Sequence, residues 1–203
     1  MKKTRGLKKV WYKSGAIKEA FYTLNGKRDG EYTMFSEDGS VIASCSYVSG
    51  KIDGVFRGFD KNISRNFEYR NGLRHGQQFE YADGKLYRKY HYYKGKLSGE
   101  FSLYRSDEQL SMQCHMVDGL RDGKLVSYLG TKIRLIYNYR RGKLHGECVK
   151  YEKDTHMIGY FNEGMPIKKW KEVDKNGKTI KVYISSRLLA NSMFQDLNWD
   201  IST

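Results

Sequence analysis

Six pairs of glycines, each pair enclosing three residues, recur along this chain at a nearly constant interval. They are Gly26/Gly30, Gly50/Gly54, Gly72/Gly76, Gly95/Gly99, Gly119/Gly123 and Gly142/Gly146. The second glycines lie 24, 22, 23, 24 and 23 residues apart. Gly6 stands 24 residues before Gly30 and marks a partial first copy, while Gly164 opens a seventh pair that the sequence does not complete. A fixed period of this length means that each copy is one supersecondary unit, able to bury its apolar surface only against its neighbours.

Other columns align with the glycines. Five residues after each second glycine stands an aromatic: Trp11, Phe35, Phe59, Tyr81, Tyr104, Tyr128 and Tyr151. Three residues before the first glycine, from Gly50 onward, stand Tyr47, Tyr69, Tyr92, Met116, Tyr139 and Phe161. Five before it are Cys45, Phe67, Tyr90, Cys114 and Tyr137, and nine before it Ile17, Val41, Ile63, Leu86, Leu110 and Ile133. The offsets −9, −5 and −3 share parity, which on a strand places them on one face. The residues between are mostly polar, so this strand reads as half-buried. In the preceding strand the apolar positions +2 and +5 differ in parity. Either a bulge follows the glycine or both faces are partly covered there.

Turn residues fall where hairpins need them. Asn25-Gly26, Asn71-Gly72 and Asp118-Gly119 favour tight turns with positive φ, and Glu37-Asp38-Gly39 and Ala82-Asp83-Gly84 mark the opposite ends. Two strands and two turns fill the period. The expected fold is all-β: an elongated single antiparallel sheet of about seven tandem hairpins over residues 1–170. Each copy advances the sheet by about 10 Å, or roughly 70 Å in all. Residues 171–203 are expected to form a cap, with a last strand at 178–185. A short helix carrying Leu188, Leu189, Met193, Leu197 and Trp199 would follow.

Composition narrows the function. The net charge is +14, but it comes in blocks, and residues 31–54 and 100–123 are net acidic. A dedicated nucleic-acid track would be basic throughout. No stretch is apolar enough for a signal peptide or a membrane span, and three cysteines without a leader suit a reducing, intracellular setting. Cys45 and Cys114 occupy one column three copies apart, too distant to share a metal or a disulfide. His75 and His145 occupy the turn column that elsewhere holds Asp29, Asp53, Ser98 and Asp122, so a polar turn role is expected. No nucleophile triad, phosphate loop or paired-carboxylate motif appears. The expectation is therefore no catalysis, no cofactor and no metal.

The segments Tyr69-Arg-Asn-Gly72-Leu-Arg-His75-Gly76 and Tyr139-Arg-Arg-Gly142-Lys-Leu-His145-Gly146-Glu147 resemble MORN repeats. They look most like the shorter MORN variant of bacterial antitoxin-type proteins and large DNA viruses. The standard repeat's Trp after Tyr-x-Gly, and its Gly-x-Gly after the His, are absent. The resemblance covers about residues 6–170. It implies an elongated, twisted antiparallel sheet and roles in scaffolding, protein contact and acidic phospholipid binding.

The leading expectation is a non-enzymatic structural or interaction protein that binds another protein, an acidic one for preference, through its sheet. The other readings are an antitoxin-type regulator, a virion- or capsid-associated protein of a large DNA virus, and an adaptor to anionic membrane or nucleic acid. The expected contact residues are Tyr47, Tyr69, Tyr92 and Tyr139, the basic group Arg134, Arg140, Arg141 and Lys143, and Trp199. The expected location is cytoplasmic, or the virion if the source is viral.

Overall fold

The computed structural model describes residues 5–186 and residue 190. Among the described residues there are eighteen strands, paired antiparallel with their neighbours in sequence. The chain divides into two compact units, Met1–Glu108 and Gln109–Thr203. The first holds β1 (Arg5–Trp11), β2 (Ile17–Leu24), β3 (Lys27–Phe35), β4 (Val41–Val48), β5 (Lys51–Ile52), β6 (Gly54–Asp60), β7 (Ile63–Arg70), β8 (Leu73–Ala82), β9 (Lys85–Tyr93) and β10 (Lys96–Tyr104). The second holds β11 (Leu110–Val117), β12 (Leu120–Leu129), β13 (Lys132–Arg140), β14 (Lys143–Leu144), β15 (Gly146–Tyr151), β16 (Thr155–Asn162), β17 (Met165–Asp174) and β18 (Thr179–Ile184). Each unit is an open sheet of consecutive hairpins, as the repeat predicts. The hairpin plan continues past residue 170 through β17 and β18. Of the expected C-terminal helix, only Ala190 is described. It is helical, 8% exposed, and its N–H donates to the Ser186 carbonyl at 2.9 Å. Leu188, Leu189, Met193, Leu197 and Trp199 lie outside the described residues.

The first glycine of every pair closes a two-residue turn. The residue before it also has positive φ: Asn25, Ser49, Asn71, Lys94, Asp118, Arg141 and Glu163 all lie between 48° and 52°. This double positive φ is the turn whose twist matches the flanking strands. Asn and Asp tolerate it; Ser49, Lys94, Arg141 and Glu163 are held there by the strands and by the glycine that follows. At Gly142 closeness adds a second demand, since a Cβ would stand 3.3 Å from Leu120 Cδ2.

The second glycine is a bulge. Tyr69 faces Arg74, but the next inward pair joins Phe67 to Gln78, so β8 carries two extra residues around Gly76. The same shift joins Phe21 to Tyr32, Tyr90 to Phe101 and Cys114 to Leu125. In the seventh copy, which lacks a second glycine, Lys168 takes φ 61° at that position, and Ile158 still faces Lys171. The incomplete pair is thus complete in conformation.

A second irregularity corrects the expected facing. Met34 pairs with Ala43 but Phe35 with Val41, leaving one extra residue in β4. Glu80/Arg88 against Tyr81/Leu86, and Ser127/Leu135 against Tyr128/Ile133, repeat it. One extra residue switches parity. Where the bulge occurs, the −9 residues Val41, Leu86 and Ile133 therefore join the +5 aromatics on the face opposite the −3 and −5 columns, and the apolar ladders occupy both faces. The β6–β7 hairpin has no such bulge, which explains the one 22-residue interval.

The core lies in the row that joins +2 to −5. Phe67, Tyr90, Phe101, Cys114, Leu125, Tyr137 and Cys148 are all at or below 7% exposure. Their rings pack along the row: Phe56 on Phe67 at 6.3 Å, Phe67 on Tyr90 at 6.3 Å and Tyr90 on Phe101 at 5.8 Å between centroids. Such cross-strand pairs are what stabilise a sheet with little to cover it.

Candidate functional site

The turn edge stitches one copy to the next. First-glycine N–H groups donate to carbonyls of the preceding copy: Gly50 to Arg28, Gly72 to Ile52, Gly95 to Arg74, Gly142 to Arg121 and Gly164 to Leu144, at 2.7–2.8 Å. The polar turn column supplies a second stitch. Asp29 accepts from the Ser49 N–H at 3.0 Å, Asp53 from Asn71 at 2.9 Å and Asp122 from Arg141 at 3.0 Å. His75 Nδ1 accepts from the Lys94 N–H at 3.4 Å, and His145 Nδ1 stands 3.4 Å from Glu163 Oε1. His75 thus takes the capping role of the aspartates, whereas His145 meets the Glu163 side chain instead. Each such cap is worth about 1 kcal/mol, by analogy with side chains that accept orphan N–H groups at helix ends.

Beside the turn edge, on the face that carries the core row, lies the −3 row. Tyr47 and Tyr69 are half-buried there; Tyr92 and Tyr139 are buried at 7% and 8% exposure. Arginines two residues after alternate first glycines cover these rings. Arg28 Cζ lies 4.5, 4.8 and 5.4 Å from the Phe21, Tyr32 and Tyr47 centroids. Arg74 lies 4.6 and 5.3 Å from Phe67 and Tyr92, and Arg121 lies 5.4 Å from Tyr139. In the intervening copies Ile52, Leu97 and Leu144 take the arginine's place. Each cation–ring contact contributes about 0.5–1 kcal/mol. Much of the tyrosine ring surface expected to meet a partner is therefore engaged within the sheet.

The basic group separates. Arg140, Arg141 and Lys143 are exposed together at one turn. Arg134 lies six residues back along β13, about 20 Å away at the other end of the strand.

The +4/−7 row of the first unit contains a buried acid that sequence reading missed. Glu80, 7% exposed, accepts from the Tyr87 and Tyr90 hydroxyls at 2.6 Å each. Arg88 Nη1 lies 3.5 Å from one of its oxygens and Arg65 Nε 4.0 Å from the other. Burial, and then donation to this carboxylate, hold the Tyr90 phenol well above its ordinary range. The signal was available: Arg65, Glu80 and Arg88 share a row once register is known, but register was the missing fact.

Cys45, Cys114 and Cys148 are buried free thiols in the core row. Burial pushes Cys114 and Cys148 up to about 11, which leaves them protonated and unreactive at neutral pH. Among the described residues no cluster of three His, Cys, Asp or Glu side chains is placed to hold a metal ion. No described helix is long and apolar enough to cross a membrane.

The opposite face carries a hollow in each unit, at the turn edge in the first and at the other strand ends in the second. A hollow of about 370 Å³ in the first unit is lined by Arg70, Asn71, Leu73, His75, Tyr93 and Lys94. One of about 290 Å³ in the second is lined by Leu129, Ile133 and Tyr151 together with Lys132, Arg134, Glu152 and Lys153. Leu129 is 71% exposed. No protein-family model matches the chain, and no curated protein matches it.

Proposed function

We propose that this chain is a MORN-type repeat protein that acts without catalysis, binding another protein through its repeat sheet. The observation that supports this most is the row architecture. Copy after copy repeats the same turn and glycine bulge, so like side chains stand in lines. A catalytic centre needs unlike groups converging in one pocket. Rows of half-buried rings and cations suit an extended contact instead, since aromatic residues and arginine are enriched at protein interfaces. The test is cross-linking in the native cell with the full-length tagged chain, followed by mass spectrometry. The expected result is a protein partner whose cross-links map to strands of the sheet. Recovery of lipid or nucleic acid alone would contradict it, as would cross-links confined to residues 187–203.

A further inference from the structure

Because the copies share one backbone plan, each copy serves as a reference for the others. A copy that departs from the plan at an energetic cost points to a use. The clearest departure is at Leu129. The equivalent position, six residues after the second glycine, holds Tyr12, Ser36, Asp60, Ala82, Arg105 and Glu152 in the other copies. Only the copy with Leu129 places a branched aliphatic side chain there, and it is 71% exposed. Beside it Ile133 is 41% exposed, and the half-buried Tyr151 completes the apolar wall of the 290 Å³ hollow. Cations line the same hollow: Lys132, Arg134 and Lys153. The carboxylates nearby are Glu152, tied to Lys150 at 3.1 Å, and the exposed Asp154.

We infer that this hollow is the anchor point of the partner-binding surface. It would take one apolar side chain, aromatic or branched, from an acidic segment of another protein. This rests on the protein-binding reading above and names the place and the chemistry. The size suits one large side chain, and anchors that fill such pockets dominate interface energetics. The charge argues for acidic residues flanking the anchor, since complementary charge steers encounter and fixes orientation. The hollow in the first unit is less suited, because His75 there accepts from the Lys94 N–H and the Lys94 ammonium already lies over the Tyr93 ring, 5.2 Å from its centroid.

The test is selection of random displayed peptides on the intact protein, then affinity measurement of the enriched sequences. The expected peptides combine an aromatic or branched aliphatic residue with flanking Asp or Glu. Leu129→Glu and the double change Lys132→Glu/Lys153→Glu should each weaken them at least about tenfold. Ala82→Glu, at the equivalent position of the first unit, should leave them unchanged. All three variants change side chains outside the core, and an unaltered melting curve verifies their folding. Peptides that bind Leu129→Glu as well as the parent would overturn the site while leaving the protein-binding reading intact. No enrichment over an unrelated immobilised protein would also overturn it, and the in-cell cross-linking then decides the broader reading. Loss of binding by Leu129→Glu to anionic vesicles or RNA, with peptides unaffected, would assign the hollow to another class of ligand and overturn the proposal.

Discussion

In the first unit the +4/−7 row runs through Gly58, Arg65, Glu80 and Arg88, whereas in the second the same columns hold Met112, Ser127, Leu135, Lys150 and Met157. The opposite face differs in the same direction. The middle row there includes Ser44, Arg57, Asn66 and Lys89 in the first unit and Val126, Ile136, Val149 and Ile158 in the second. The backbone plan is common to both: the same turns, the same glycine bulges, the same caps. The repeat therefore specifies hydrogen bonding and register, and leaves the chemistry of the rows free. Both units bury a core row; the first adds a buried ion cluster and most of the arginine–ring contacts, and the second buries more apolar side chains.

The sharpest way to break this comparison is at Trp170, which is fully buried against Phe161 with ring centroids 5.3 Å apart. Trp170→Ala should cost about 3–5 kcal/mol. Stability in a repeat array is local, so hydrogen exchange should show protection lost from β15–β18 and retained in β1–β10. Equal loss in both units would mean that they do not differ in what holds them.

Glu80→Gln tests the other half. It leaves Arg65 and Arg88 without their carboxylate and two tyrosine hydroxyls with a weaker acceptor, at a cost of about 2–3 kcal/mol. Denaturant unfolding followed by exchange should place the loss in the first unit.

Alkaline pH loads the two units through different groups. The Cys114 and Cys148 thiols are held near 11 in the folded state, against an ordinary value of 9.0. Their contribution is fully present below pH 9 and is lost as pH rises through about 11, because the unfolded chain ionises first. Melting curves from pH 8 to 11 should show the second unit weakening through Cys114 and Cys148, and the first through Cys45 and Tyr90, which burial also raises. A thiol reagent at pH 8 should modify neither Cys114 nor Cys148 until the protein unfolds.

The smallest expected effect is a gain. Lys168 holds a positive φ where six other copies use glycine, so Lys168→Gly relieves about 1 kcal/mol of backbone strain. It also forfeits the Lys168 contact with the Tyr160 ring, 4.7 Å from its centroid. A net stabilisation of about 0.5 kcal/mol by denaturant titration is predicted.

Much of this fold was legible because the period is visible in the glycines alone. The hairpin order, the turn at each first glycine and the core role of the −5 column follow from it. The distribution of the apolar columns over two faces did not. It depends on a single extra residue near Ile42, Tyr87 and Arg134, and nothing in those side chains announces a bulge. The Glu80 cluster was hidden for the same reason, since it exists only once Arg65 and Arg88 are known to share its row. Arg140, Arg141 and Lys143 were found together, but Arg134 was joined to them by proximity in sequence, which a strand converts into distance. Leu129 carried a signal that was readable in principle: one column in which the copies disagree and the apolar member is a branched aliphatic.

The register of every row depends on the bulge at each second glycine. Cross-strand NOEs around Gly76 measure it. The structure predicts contacts between Tyr69 and Arg74 and, one step further in, between Phe67 and Gln78. A regular ladder from the same turn would instead place Phe67 opposite Gly76. Contacts of that kind, repeated at Tyr90 with Gly99 and Cys114 with Gly123, would contradict the register on which every row described above depends.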